Sequence, residues 1–562
     1  MVKATDGINL RTQNIAGRVS GISLAAMLAT LLHLPTGGLV AQQAPLDLLI
    51  RNARIVDGTG APWYRGDLAI RDGKIAAIGK LGDVGARRTI DAGGLVVAPG
   101  FIDLMGQSAA SYLRDPQSAF NLLSQGITTI NAGEGRSDAP LPDSLARERG
   151  WRTMREYFAK LDSAGMPMNM VQTVGHTQVR QIVIGDVDRQ ATPAELDRMR
   201  AMVQEAMEAG AIGLSTSLIY PPAIYASETE ITELAKVAGR YNGRYFTHMR
   251  NEGDRLLEAI DEALRIGQGA GTPVHIFHLK TAGQANWPKM DLALARIKGA
   301  RASGQEVGAD VYPYINNGLG IRALLHPRHA TGGQAELMRR LQDPAIRAEM
   351  RQEMETLGGW ENWFAHAGRD WDRVVIAGLE LPQYAAMNGQ SLGAIARQAG
   401  KDSWDVFFEI AQSEAFAMPQ SMSEANKIKA MQQEFVVFDT DAGPAATGFA
   451  VHPRGYGAFP RVLARYVREL GALSLEAAIV RMSAAAANEI MAYDRGRIAP
   501  GLAADLVLFD PLAVRDRATF AEPTTPSEGI KWVLVNGLIV FEDGKYTGTR
   551  PGKVLRGPGY RP

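Results

Sequence analysis

The chain has 562 residues, and its 60 Lys+Arg balance its 60 Asp+Glu to a formal net charge of zero. That balance gives no electrostatic basis for binding nucleic acid or an anionic membrane. Cysteine is absent, which excludes disulfides and thiolate metal sites, so a metal would have to be held by His, Asp, Glu or a modified Lys.

The chain opens like an export leader. Lys3, Arg11 and Arg18 precede an apolar run, residues 22–32, too short to span a bilayer, and Leu39-Val40-Ala41 before Gln42 makes a fair cleavage site. The expectation is a signal peptide over 1–41 and an exported protein, periplasmic or secreted, with no membrane attachment once the leader is gone.

Residues 46–97 alternate apolar and polar side chains around Asp-Gly and Gly-Gly turns, the pattern of short strands and hairpins. The same texture returns over 496–555, in ADLVLFDP and IKWVLVNGLIVFEDGKYTG. Strands alternate with helices between them. The expected fold is therefore α/β: a (β/α)8 TIM barrel over 98–495, inserted into a small β-sandwich made from both ends. Barrel strands are expected at 95–104, 126–132, 169–174, 211–217, 245–248, 274–278, 306–312 and 434–441. Residues 316–433 read as helical and too long for a plain crossover, hence as a helical insertion after strand seven, near the mouth.

The stretch from Arg244 to Lys280 carries the most chemistry. Two short apolar runs end in His248 and His278, with an amphipathic helical segment between them (Leu256, Leu257, Ile260, Ala263, Leu264). A right-handed strand–helix–strand return brings both histidines to the same, C-terminal edge of the sheet. That is the face where barrel enzymes build their sites. His275 faces away from His278 by strand alternation; His326, His329 and His366 fall in the insertion, and His452 stands near the entrance.

At this point several blocks in order, APGFID, THMRNE, HIFHLK, FDTDAGP and HPRGYGAFPRVLARYVRE, resemble the amidohydrolase superfamily, in its N-acyl-D-amino-acid deacylase branch. The resemblance implies a metal site at barrel strand ends: His-x-His after strand one, a Cys after strand two, one His each after strands five and six, and an Asp after strand eight. His248, His278 and Asp441 match. Two positions depart. The His-x-His pair is replaced by Met105-Gly106-Gln107, and Glu134 stands where the Cys is expected. A carboxylate ligates zinc at about 2.0–2.2 Å, so the expected centre is one Zn2+ held by Glu134, His248 and His278, its second site lost. Gln107 is limited to weak ligation or hydrogen-bond donation.

What the resemblance implies is hydrolysis of the amide bond of a small-molecule N-acyl-amino acid, of the D series, or a related dipeptide. Asp441 would be general base and then acid, with Asp439, two residues deeper, as the alternative. Lys280 and Arg454 would hold the substrate carboxylate, Tyr220 and Tyr312 would line the pocket, and His176 and Arg180 would support it from the mouth after strand three. Two other readings stand beside this one. A cyclic amide or imide hydrolase usually needs a carboxylated lysine after strand four, where this chain reads GLSTSLIY. A pseudoenzyme would bind acylated amino acids without cleaving them.

Overall fold

The computed structural model describes residues 45–446 and 450–562; the leader expected over 1–41 lies outside them. Strands from both ends of the chain make one hydrogen-bonded sheet of nine strands. Leu46–Ile55 pairs antiparallel with Tyr64–Arg71 and parallel with both Ala86–Asp91 and Val96–Pro99. The two ends join where Val96–Pro99 pairs with Leu506–Phe509. Tight turns at Asp72-Gly73 and Asn536-Gly537, all four residues at positive φ, close two of its hairpins, as two-residue turns require. Leu48, Ile50, Leu68, Ile70, Leu506 and Leu508 fill its core.

The run expected as one barrel strand over 95–104 is two strands broken at Gly100. Val96–Pro99 belongs to the nine-stranded sheet and Phe101–Asp103 opens the barrel. The break has a steric cause: a Cβ at residue 100 would lie 2.3 Å from Thr128 Oγ1, so only glycine lets the chain pass there. The third strand is likewise interrupted at Thr173, between Asn169–Gln172 and Val174–Gly175.

Parallel pairing then runs through Phe101–Asp103, Ile127–Ala132 and Asn169–Gln172, and from Val174–Gly175 through Gly213–Ser217, Arg244–His248, Val274–Ile276 and Val307–Val311 to Val436–Phe438. Closure from the eighth strand to the first is made by a side chain. Asp103 accepts hydrogen bonds from Thr440 N at 2.9 Å and Thr440 Oγ1 at 2.5 Å. Ile102, Val171, Phe246, Phe277 and Val437, from five strands or their ends, meet in one apolar cluster that can only be the barrel interior. The helix Leu256–Ala270 buries Leu256, Ala259, Ile260, Ala263 and Ile266 and stops at Gly271, which is left-handed.

The insertion is not purely helical. A three-stranded antiparallel sheet, Leu319–Gly320, Phe416–Pro419 and Val374–Ala377, accompanies its helices. Its aromatic residues form a core of its own, with Phe364 stacked on Trp371 at 4.2 Å and Trp404 edge-on to Trp371 at 5.1 Å. That core takes in Ile219 and Ala282 from loops after the fourth and sixth barrel strands, so the insertion roofs the mouth. Among the described residues, no helix is long and apolar enough to cross a membrane.

Candidate active site

Parallel register sets Thr247 beside Ile276, so the fifth and sixth strands deliver His248 and His278 to the same rim. Glu134 comes in from the turn after the second strand. Its Oε1 lies 2.7 Å from His248 Nδ1 and 3.3 Å from His278 Nε2. Zinc bonds of about 2.0–2.2 Å put tetrahedral ligand atoms about 3.3–3.5 Å apart, so a small spreading of the shorter contact around an ion would convert these contacts into coordination. These three residues are the one set of three or more metal-binding side chains found to converge among the described residues, all ligand atoms lying within 4.8 Å.

The electrostatics also suit a cation. Burial pushes the Glu134 carboxyl up, but its bonds to His248 and His278 and their charge outweigh that and hold it well below the usual range. Burial and Lys280 push His278 down, while Glu252 and Glu134 raise it to about 9. Without an ion, the carboxylate is thus balanced by the His278 imidazolium, whose proton a metal would displace.

Behind the imidazoles stands a residue that sequence reasoning missed. Glu252 Oε1 is 3.0 Å from His278 Nδ1, its Oε2 is 3.7 Å from His248 Nε2, and Lys280 Nζ bonds it at 2.5 Å. A carboxylate on the far nitrogen fixes the tautomer and aim of a ligating histidine. The signal was available: Glu252 follows His248 by four, in THMRNE. Lys280 is 2 % exposed and does not line the cavity; it sits against Glu252 and His278 Nδ1, so its expected grip on substrate becomes support of the imidazole.

Asp310 reaches the same centre from below. It accepts from the His278 backbone N–H and from His275 Nε2 at 2.9 Å, while His275 Nδ1 meets Glu489 at 2.7 Å. His275 therefore does not face away from the site. It lies inside the barrel, 5.5 Å ring to ring from Phe246, because the positive φ of His278, 36°, breaks the strand alternation. Gln107 (58°) and Asp441 (45°) share that conformation. Such backbones cost of order 1–3 kcal/mol each and cluster at functional sites.

Asp441 lines a cavity of about 470 Å³ with Gln107, Glu134, Tyr220 and Arg454. Its Oδ2 accepts from Arg454 Nη1 at 2.6 Å and its Oδ1 from Gln107 Nε2 at 3.0 Å. Burial pushes its carboxyl up, against the pull of Arg454 and His278. Asp439 is fully buried and faces the Asp310 carboxylate. Burial and the neighbouring Asp310 drive it well above the usual range. Asp439 thus lies outside the cavity with its carboxyl driven up further, and Asp441 lines the cavity.

Tyr312 is buried rather than lining. Arg454 lies 4.7 Å from its ring centre, Lys427 4.2 Å and Lys280 5.9 Å. Nothing in the sequence pointed to Lys427, which comes from the insertion. Its Nζ is buried without a hydrogen-bond partner, and burial with the nearby Lys280 lowers it to about 7. His452 takes the Arg454 N–H on Nδ1 at 3.0 Å, fixing the backbone of that arginine.

The expectation that His176 and Arg180 support the pocket is corrected. Both are fully buried against Glu230 of the helix Glu228–Arg240, at 2.9 and 2.5 Å, and Arg180 also bonds Arg189 O at 2.5 Å. His176 opens the helix His176–Val183 and Arg180 follows one turn later on the same face, so the helix directs both to Glu230. Neither lines the cavity. Met105 likewise joins the interior cluster, and His329 and His366 pair with Glu353 and Glu361 in the insertion.

Comparison with known proteins agrees with this geometry. Residues 88–541 match the amidohydrolase family, and residues 36–100 match the N-terminal domain of the urease alpha subunit. The D-aminoacylase of Alcaligenes xylosoxydans xylosoxydans is 34% identical over 529 residues, 91% of this chain and 98% of that protein. A crystal structure of N-acyl-D-glutamate deacylase from Bordetella bronchiseptica, holding zinc and a phosphonate mimic of the tetrahedral intermediate, superposes with a TM-score of 0.77 at 35% identity, over 91% of this chain and all of that one. A D-aminoacylase structure described by its binuclear metal centre, with one-metal activation and second-metal attenuation, gives 0.76 at 33% identity over the same shares. With the barrel, the converging ligands and these matches, the chain belongs to the amidohydrolase family, as a metal-dependent hydrolase of amide bonds.

Proposed function

We propose that the protein removes the acyl group from N-acyl-D-amino acids bearing uncharged side chains, using one divalent ion, zinc by preference. The observation that carries this is the convergence of Glu134 Oε1, His248 Nδ1 and His278 Nε2 beside Asp441, at the wall of the 470 Å³ cavity. Two imidazoles and a carboxylate suit zinc. A single ion is favoured because Met105 lies in the core and Gln107 offers its amide nitrogen to carboxylates rather than a lone pair to metal.

When bound, the ion would supply Lewis-acid polarisation of the scissile carbonyl and lower the pKa of water. Asp441, set against Arg454 and held above the usual carboxylate range, takes the proton of the attacking water and returns it to the departing amine. Arg454 lines the cavity beside Asp441, where a guanidinium can meet the substrate carboxylate. Tyr220, edge-on to His248 at 5.6 Å, walls the reacting centre.

The preference for uncharged side chains follows from the lining. Among the described residues, Leu319, Phe416 and Val451 are its large apolar members, and Arg454, already facing Asp441, is its one cation. The D configuration rests on the relatives. The cyclic-amide reading is disfavoured because the fourth strand, Gly213–Ser217, ends without a lysine. Export, read from the leader, joins the proposal; periplasmic fractionation of the full chain checks it.

The test is zinc content together with deacylation of N-acetyl-D-leucine, N-acetyl-D-glutamate and N-acetyl-L-leucine, with and without chelator. The proposal expects about one zinc per chain and chelator-sensitive turnover of the D-leucine compound, at least tenfold better than the other two. A metal-free chain that still binds N-acetyl-D-leucine without cleaving it would make it a binding protein instead.

A further inference from the structure

Gln107 follows the first barrel strand in a left-handed backbone, φ 58°, that a side-chain-bearing residue adopts only when held there. Two ties hold it. Gly133 N donates to Gln107 O at 2.7 Å, joining its backbone to the turn that carries Glu134. Its side-chain Nε2 lies 3.1 Å from Glu134 Oε2 and 3.0 Å from Asp441 Oδ1. Only the NH2 end of a carboxamide can face two carboxylates, so chemistry fixes its orientation.

The arrangement is symmetrical about that nitrogen. Glu134 commits Oε1 to the two imidazoles and Oε2 to Gln107; Asp441 commits Oδ2 to Arg454 and Oδ1 to Gln107. Two buried like charges would otherwise repel and turn apart. One amide hydrogen for each carboxylate holds them in register without adding a charge.

We propose, building on the one-ion reading above, that Gln107 is a positioning residue: its carboxamide nitrogen ties the metal-binding Glu134 to the proton-transferring Asp441, and fills with a donor the place from which a histidine would recruit a second ion. Asp441 then keeps its angle to the substrate because it is bridged to a metal ligand, and not only because it faces Arg454.

Two substitutions test this on the full chain, read by zinc per chain in excess zinc, zinc affinity by chelator competition, and kcat and KM measured separately. Gln107→Met keeps the length and removes both donors. It is expected to retain one zinc at unchanged affinity while kcat falls about ten- to hundredfold, the usual range for groups that orient ligands, with KM moving less than threefold. Gln107→His is expected to take up a second zinc per chain. Unchanged kcat in Gln107→Met, or a fall matched by lost zinc or lost Tm, overturns the positioning role. A Gln107→His chain that stays at one zinc, or a wild-type chain that already holds two, overturns the role in ion number. If the wild type binds no zinc and cleaves nothing, it is the proposed function that has failed.

Discussion

Two clusters near the barrel mouth pair a half- or fully buried glutamate with a histidine, and they do different things. At one, Glu134 faces His248 at 2.7 Å; at the other, Glu230 faces His176 at 2.9 Å. Distance and burial hardly separate them. What separates them is the third partner and what stays unsatisfied. Glu230 takes the Arg180 guanidinium on its second oxygen, a permanent cation that completes the charge balance. Glu134 instead meets a second imidazole, His278, backed by Glu252 and Asp310, on a backbone held at positive φ and beside a cavity. A cluster closed by arginine has no need of a metal, whereas a carboxylate closed by two imidazoles can share an ion with them.

The sharpest way to break this contrast is at Asp441. Asp441→Asn is expected to lower kcat about a thousandfold, within the range for a lost general acid–base group, while zinc content stays at the wild-type value; turnover within tenfold of wild type would return the role to another group. Next in size is Glu252→Gln. It removes the charge that faces both imidazoles, and is expected to weaken zinc binding about 10–100-fold, with saturating zinc restoring much of kcat. If affinity is unchanged, the support from behind the histidines is illusory.

How much of this the sequence carried can be seen residue by residue. The strand–helix–strand around His248 and His278 was legible because a parallel return admits one hand, and both ends must then share an edge. Glu134 was legible only through resemblance, as the carboxylate standing where a thiolate was due. Glu252 sat in plain view four residues after His248, but its role depends on a loop that sequence periodicity does not describe. Lys427 and the orientation of Gln107 were out of reach, since each meets the site across long chain separations. The reading of His176 and Arg180 failed for a different reason. The chain does place them just after the third strand, yet the helix His176–Val183 begins at once and turns them toward Glu230. The long run 95–104 failed because its pattern is blind to the contact at Thr128 that Gly100 relieves.

The smallest effect on activity is expected where the second cluster is broken, and there the readout is stability. Glu230→Gln keeps the shape but leaves Arg180 buried without its counter-charge, which costs about 3–5 kcal/mol when a buried pair loses one member. The penalty should depend on pH with a definite sign. Burial alone would raise Glu230, but His176 and Arg180 more than offset it and hold its carboxyl below the ordinary 4.5. A folded-state value below the unfolded one adds stability above about pH 4.5, lost as pH falls through the lower folded value. Urea unfolding of wild type and Glu230→Gln should therefore differ by a constant amount from pH 7 down to about pH 5, and converge on further acidification as wild-type Glu230 takes up its own proton. Zinc content and kcat at pH 7 should match wild type throughout, provided the variant is assayed well below its Tm. A Glu230→Gln chain of wild-type stability that loses zinc or kcat would mean that the arginine-closed cluster belongs to the site after all, and that a guanidinium partner is no guide to which buried carboxylate waits for a metal.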